Sequence, residues 1–332
     1  MPEILVEITR GARVESRHAG SAVVVDETGA VVFQVGDIDA PIYPRSAVKA
    51  LLALPLIETG AADRLGLTEA EIALACSSHS GEPIHVLTAT TMLAKAGRDA
   101  ACLECGVQWP ANAGAAHALA ASGGTATALH NNCSGKHAGF ICLACDRAED
   151  PAGYIRPEHP TMREITVALA DMTSTRLDDA NIAVDGCSIP TYAIPLRALA
   201  RAFARFGAAA DMPAGRASAT RRIRAAVAAN PMLVAGTGRF DTRIMQALGP
   251  RVFSKGGAEG AYCAAIPELG YGIAVKCDDG AGRAAQIATA ALIGHFLAVA
   301  DEPVVADLTR PSLTNWNGVE IGTARPAGAL LF

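Results

Sequence analysis

The chain has 332 residues, of which 51% are apolar and 18% charged. That is enough to bury a large core and too apolar for wholesale disorder. A formal net charge of −5 argues against a nucleic-acid or anionic-membrane partner.

The opening "MPEILVEITRG" carries Glu3 and Glu7 where a signal peptide would place a basic segment and then an apolar run, so no signal peptide is expected. Next, "VEITRG" and "SAVVVDETGAVVFQVGD" predict antiparallel strands with a hairpin turn at "DETG". From Ser46 to about residue 230 the pattern becomes helical and alanine-rich, as in "SAVKALLALPLIETG", "EPIHVLTATTMLAKAG" and "PEHPTMREITVALADM". The segment "RFGAAADMPAGRAS", 205–218, reads as a mobile surface loop. Strands return in "RVFSKGG", "AYCAAIPELG" and "YGIAVKCDDG", followed by a long helix and a last strand in "NWNGVEIGTARP". The uncharged stretch 284–300 is interrupted by Gln286, Gly294 and His295, and a buried helix is expected there instead of a membrane span.

The expected fold is therefore α/β of the α+β kind, with one antiparallel sheet built from both chain ends, flanking helices and a helical lobe. A single catalytic domain with two lobes is expected, the sheet lobe at about 1–45 and 230–332 and the helical lobe at about 46–229. A cytoplasmic location is expected, with the nine cysteines present as thiols or metal ligands.

Lysine is scarce. Of 28 basic residues only Lys49, Lys95, Lys136, Lys255 and Lys276 are lysines. Arginine cannot serve as a base or a metal ligand, whereas a desolvated lysine can, so each lysine is a candidate for a task that needs an amine. Ser46-x-x-Lys49 opens a helical pattern, where the amine could accept the proton of a serine nucleophile. Alone, the pair reads equally as a serine cap beside a solvated lysine. "CSSHSG" (76–81) and Lys255-Gly256-Gly257 follow in the order S-x-x-K, S-D-N, K-T-G used by serine acyl-enzymes of the β-lactamase and penicillin-binding type. Both later motifs are degenerate, so the order and the layout carry the signal.

"NNCSGKHAGF" (131–140) places Cys133, Lys136 and His137 at i, i+3 and i+4, on one helix face. "VDGCSIPT" supplies Asp185 and Cys187 in a turn. Cys133, Cys187, His137 and Asp185 are zinc ligands by type, and Lys136 only as the neutral amine. The alternative is a metal-free cluster of buried thiols. Cys102/Cys105 and Cys142/Cys145 form two C-x-x-C pairs, but Cys142 and Cys145 lie in an apolar helix pattern and are expected in a core.

Taken together, "RSAVK", "CSSHS", "NNCSGKHAG", "DGCSIPT", "GTGRFDT" and "SKGGAEG" resemble the motif set of the rhizobial-type, or class 3, L-asparaginases. The resemblance implies a serine-β-lactamase-like fold, a homodimer, and hydrolysis of L-asparagine to L-aspartate and ammonia. It implies two serine-lysine tandems, Ser46 with Lys49 and Ser78 with Lys255. It also implies a zinc ion held by Cys133, Lys136 and Cys187, in a supporting role, with Arg45, His137 and Asp185 lining the substrate site. Two departures stand out: Gln108 replaces the family's usual histidine, and the usual proline and glutamine after the catalytic lysine are absent from "VKALLA". Competing readings are a β-lactamase-like acyl-serine enzyme, a hydrolase using zinc-bound water, and a zinc-binding regulatory protein.

Overall fold

Strands open and close the chain and helices fill its middle, as the hydrophobic pattern predicts. The computed structural model describes residues 3–332. In chain order the strands are β1 (Ile4–Arg10), β2 (Arg13–Val25), β3 (Val31–Val35), β4 (Pro41–Ile42), β5 (Ile182–Val184), β6 (Pro190–Tyr192), β7 (Ile194–Pro195), β8 (Phe253–Gly256), β9 (Ala261–Ile266), β10 (Tyr271–Cys277), β11 (Ser312–Thr314) and β12 (Glu320–Pro326). The helices are α1 (Lys49–Leu52), α2 (Leu54–Glu58), α3 (Ala61–Arg64), α4 (Glu69–Ala75), α5 (Pro83–Lys95), α6 (Ala113–Ala121), α7 (Ser134–Asp146), α8 (Pro160–Thr173), α9 (Leu196–Ala208), α10 (Ala214–Ala229), α11 (Pro231–Val234), α12 (Phe240–Leu248), α13 (Gly282–Phe296) and α14 (Pro303–Thr309).

The chain divides into two units. The first comprises residues 1–47, 193–210 and 251–332, and the second residues 48–192 and 211–250. The first holds an antiparallel sheet in the order β11-β12-β1-β2-β10-β9-β8, with β3 pairing β2. Both chain ends contribute, as expected. The hairpin between β2 and β3 turns at Asp26, whose Oδ1 accepts hydrogen bonds from Thr28 N and Ala30 N. Consecutive residues Gly272–Val275 of β10 are all buried, so both faces of the sheet are covered there. Helices α9 and α13 both pack on β10 and β9. At Gly272 an added Cβ would lie 1.9 Å from the Ala200 carbonyl oxygen, and only glycine lets α9 come that close.

The second unit is helical. Thr68 and Glu71 close a capping box at the start of α4. Helix α7 lies against the end of α4 through two glycines one turn apart. A Cβ at Gly135 would sit 2.4 Å from the Leu74 carbonyl oxygen, and one at Gly139 would sit 3.2 Å from Ala75 Cβ. The glycines of "NNCSGKHAG" are thus packing requirements.

The structure departs from the sequence reading in three places. Residues 205–218 are a loop only at 209–213: Arg205–Ala208 complete α9, Ala214 begins α10, and Arg205 and Phe206 are buried. The glycine that suggested a loop, Gly207, faces Ala265, where a Cβ would meet its neighbour at 3.1 Å. The expected helix from Ser46 is broken into a 3-10 turn (Arg45–Val48), α1 and α2, with Pro55 at the start of α2. The unit limits also differ from those drawn on the sequence. Residues 196–208 join the sheet unit because the apolar face of α9 packs on strands, and residues 230–250 join the helical unit. Residues 284–296 form the expected buried helix within α13. Among the described residues no helix is long and apolar enough to cross a membrane.

Candidate active site

Three of the five lysines are almost fully buried: Lys49, Lys136 and Lys255 are each 1% exposed. A lysine is rarely buried so deeply without polar partners, and two of the three converge in the helical unit.

Their positions follow from two turns. The Asn131 side chain donates to Cys105 O at 2.9 Å and Gly106 O at 3.1 Å, while its Oδ1 accepts from Cys133 N at 2.9 Å. Cys133 is thereby pinned at the N-cap of α7. Gln108 Oε1 accepts from Asn132 N at 3.1 Å, so the unusual glutamine serves the same turn. The second turn, 76–80, is held on both sides by its backbone: Ser78 N donates to Val234 O at 2.9 Å, and His79 N to Asn132 O at 3.2 Å. Gly236, in "GTGRFDT", packs against it, since an added Cβ would fall 1.7 Å from Ser80 Oγ.

Lys49 projects from the start of α1 onto these turns. Its Nζ donates to Ser77 O at 2.6 Å and lies 2.9 Å from Ser78 Oγ and 3.1 Å from Cys133 Sγ. Lys136, one turn into α7, lies 2.9 Å from Cys187 Sγ. Cys133 and Cys187 are hydrogen-bonded to each other. The thiolate form is favoured at Cys133, first by that hydrogen bond and then by the positive charge of Lys136 and Lys49, against burial. Burial alone would lower the Lys136 pKa, but the Cys133 and Cys187 sulfurs outweigh it and raise it.

Cys187 is carried by the turn between β5 and β6. Asp185 N donates to Ile189 O, Ser188 N donates to Asp185 O, and Ser188 has φ +75°. Asp185 is buried, its Oδ1 accepts from Gly186 N at 2.7 Å, and its Oδ2 lies 3.9 Å from Cys187 Sγ. His137 is fully buried and its Nδ1 lies 2.6 Å from the Tyr154 hydroxyl. Burial, then the charges of Lys136 and Lys49, push its pKa well below the usual imidazole range.

In the sheet unit, Lys255 is the penultimate residue of β8 and donates to Gly256 O at 2.7 Å. The two glycines after it are both sterically required: a Cβ at Gly256 would meet the Tyr262 ring at 2.8 Å, and one at Gly257 the Pro44 carbonyl oxygen at 2.5 Å. Pro44 leads into Arg45, which adopts a left-handed φ of +51°, and into Ser46; both side chains are half-buried. A non-glycine residue in that region is uncommon and marks a locally constrained backbone.

The L-asparaginase II family profile matches residues 6–326. The chain belongs to the L-asparaginase II family. It is an asparaginase, a hydrolase whose substrate is a small molecule. The comparison with curated proteins returns no match. Among solved structures, a β-lactamase from Mycobacterium bovis is 10% identical, with 87% of this chain and 95% of that one covered and a TM-score of 0.37.

In this asparaginase the structure brings together Lys49, Ser78, Cys133, Lys136 and Cys187, with Asp185 beside Cys187. Within the helical unit Lys49 stands at Ser78, a contact that the serine-lysine pairing read from the sequence did not include. The two C-x-x-C pairs do not assemble into a metal site: Cys142 Sγ faces Met92 O in the core, and Cys145 receives a hydrogen bond from Arg98. All nine cysteines are free thiols. Among the described residues no group of three or more His, Cys, Asp and Glu side chains is placed to hold a metal ion. Sequence reasoning gave Asn131, Tyr154 and Ser77 no role in the site. Asn131 was legible as a turn residue. Tyr154 stands in the loop "PAGYIRP" without periodicity, and nothing in its neighbours points to His137.

Proposed function

We propose that this asparaginase hydrolyses L-asparagine through a serine acyl-enzyme in which Lys49 handles the proton. The observation that carries the reading is the 2.9 Å separation of Lys49 Nζ and Ser78 Oγ in a buried setting. In its neutral form Lys49 has a lone pair for a serine proton, and Ser77 O fixes the direction of one of its N–H bonds. Ser46, three residues before Lys49 in S-x-x-K order, is the proposed nucleophile. It attacks the side-chain amide carbon and its proton passes to Lys49. That proton then goes by way of Ser78 to the leaving nitrogen, which departs as ammonia. Water cleaves the aspartyl ester and regenerates the serine. Lys255 would supply positive charge to the developing oxyanion, and Arg45, His137 and Asp185 would bind the substrate's polar groups. The roles of Ser46, Lys255 and Arg45 rest on the sequence motifs.

A second reading makes Ser78 the nucleophile, favoured by its direct contact with Lys49. Trapping the acyl-enzyme and locating the added mass by peptide mass spectrometry separates the two. Mass on the Ser46 peptide supports the first reading, and mass on the Ser78 peptide replaces it with the second.

A zinc ion fits the sulfur-amine cluster by donor chemistry. Two sulfurs and an amine already touch, Lys136 Nζ at 2.9 Å from Cys187 Sγ and Cys133 hydrogen-bonded to Cys187, and the thiolate is the favoured form at Cys133. Cys133, Lys136 and Cys187 would hold the ion, which when bound would supply a fixed positive charge for polarising and orienting substrate oxygen. We propose a supporting role for it, together with a homodimeric assembly and a cytoplasmic location.

A further inference from the structure

Tyr154 is fully buried, and its hydroxyl has two neighbours. It accepts the backbone N–H of Glu104 at 2.9 Å, and it lies 2.6 Å from His137 Nδ1. A phenol has a single proton. If Nδ1 carried the imidazole proton, the hydroxyl oxygen would accept twice and its own proton would be buried without an acceptor. The hydrogen-bond network therefore directs the phenolic proton to Nδ1 and leaves the imidazole proton on Nε2. That Nε2 is buried and has no hydrogen-bond partner in the protein. A buried donor without a hydrogen-bond partner is costly, and such a group in a site calls for an explanation.

We propose that Tyr154 is a positioning residue that fixes His137 as the Nε2–H tautomer, so that this N–H is held ready for an oxygen of the amino-acid substrate. The inference rests on the asparaginase reading for its ligand, and on the hydrogen bonds alone for the tautomer. Supporting chemistry surrounds it. Burial raises the Tyr154 pKa, which keeps the hydroxyl protonated as a donor. Glu104 Oε1 accepts from Gly153 N at 2.7 Å, so the Glu104 segment and the Tyr154 loop are tied at two points and the hydroxyl cannot drift.

The test uses the full-length protein labelled with 15N in its histidine rings. A long-range proton-nitrogen correlation spectrum reads which ring nitrogen is protonated, and L-aspartate, the reaction product, is the probe. The expected result is a protonated Nε2 and a bare Nδ1 in His137, with the Nε2–H resonance moving as L-aspartate is added. In Tyr154→Phe the preference for Nε2–H is lost and kcat/KM for L-asparagine falls about 10–100-fold, the usual cost of removing an orienting partner. His137→Gln, which can place an N–H near the Nε2 position, retains more activity than His137→Ala. A wild-type His137 protonated at Nδ1 overturns the proposal. So does an Nε2–H resonance that saturating L-aspartate leaves unmoved in a protein that hydrolyses L-asparagine, and so does an unchanged tautomer in Tyr154→Phe. A wild-type protein that releases no ammonia overturns the asparaginase reading instead. The wild-type spectrum needs no variant to fold.

Discussion

Lys49 Nζ and Ser78 Oγ lie 2.9 Å apart, with the same amine 3.1 Å from Cys133 Sγ. One buried side chain thus links the serine turn at 76–80 to the first residue of the sulfur-amine cluster. The S-x-x-K lysine of this chain answers to two neighbourhoods at once, and its removal should be felt in both.

Replacing Lys49 tests the first of these. Lys49→Met is expected to lower kcat by about 100–10,000-fold, the usual contribution of a positioned general base. Lys49→Arg should not rescue it, because a guanidinium stays protonated and is planar where the site holds an ammonium-sized group. Steady-state ammonia release, with circular dichroism to confirm folding, measures the effect. An active arginine variant would show that charge alone is required.

The cluster makes a separate prediction about metal. Elemental analysis of purified protein is expected to find about one zinc per chain when zinc is supplied, with Cys133, Lys136 and Cys187 as donors. Cys187→Ser should lose that zinc, and a chelator should lower the Tm of the wild type but leave the Tm of Cys187→Ser unchanged. Equal zinc content in wild type and Cys187→Ser would place the ion elsewhere.

The stacked pair His79 and His85, with ring centroids 4.7 Å apart, predicts a pH dependence of stability. Gly81 N donates to His79 Nδ1 and Glu82 N donates to His85 Nδ1, so both rings are neutral acceptors there. Burial, foremost, lowers both pKa values, and for His79 the charges of His85 and Lys49 add to it. The unfolded chain therefore binds protons that the folded chain refuses. Stability is flat above the unfolded value of about 6.5 and falls as pH drops below it, by up to ~1.4 kcal/mol per pH unit for each histidine, until the folded pKa is reached. Urea unfolding at pH 7.5 and 5.5 measures the difference, and replacing both histidines by glutamine should flatten it.

Gly135→Ala separates packing from propensity. Alanine is the better helix former by about 1 kcal/mol, and on propensity alone the change would stabilise α7. The added methyl would lie 2.4 Å from Leu74 O, so a net destabilisation of about 1–3 kcal/mol is expected. A raised Tm would show that α7 does not pack on α4 at this distance.

Much of this was legible in sequence because it depends on local chemistry. The scarcity of lysine made all five candidates, and three of them, Lys49, Lys136 and Lys255, are buried. Cys133 and Lys136 come from one helical turn, so their proximity follows from spacing. The hairpin at Asp26 needed only a side chain that accepts from its own following residues. Other features depend on long-range packing that no local pattern encodes. Gly207 looks like a loop residue until β9 is placed against it, and 205–208 then proves to be helix. The contact of Lys49 with Ser78, 29 positions away, is made by the fold of the helical unit and no motif spacing announces it. Tyr154 reaches His137 from a loop 17 residues further on, and a lone tyrosine between glycine and isoleucine advertises nothing.

The most direct test of the account is ammonia release from L-asparagine by zinc-supplied wild type, Ser46→Ala and Ser78→Ala, with L-glutamine as a parallel substrate. The account predicts rapid release by wild type and a loss of several orders of magnitude in Ser46→Ala, with Ser78→Ala impaired but measurable. A wild-type protein that releases no ammonia, or a Ser46→Ala variant that keeps most of the rate, would contradict it.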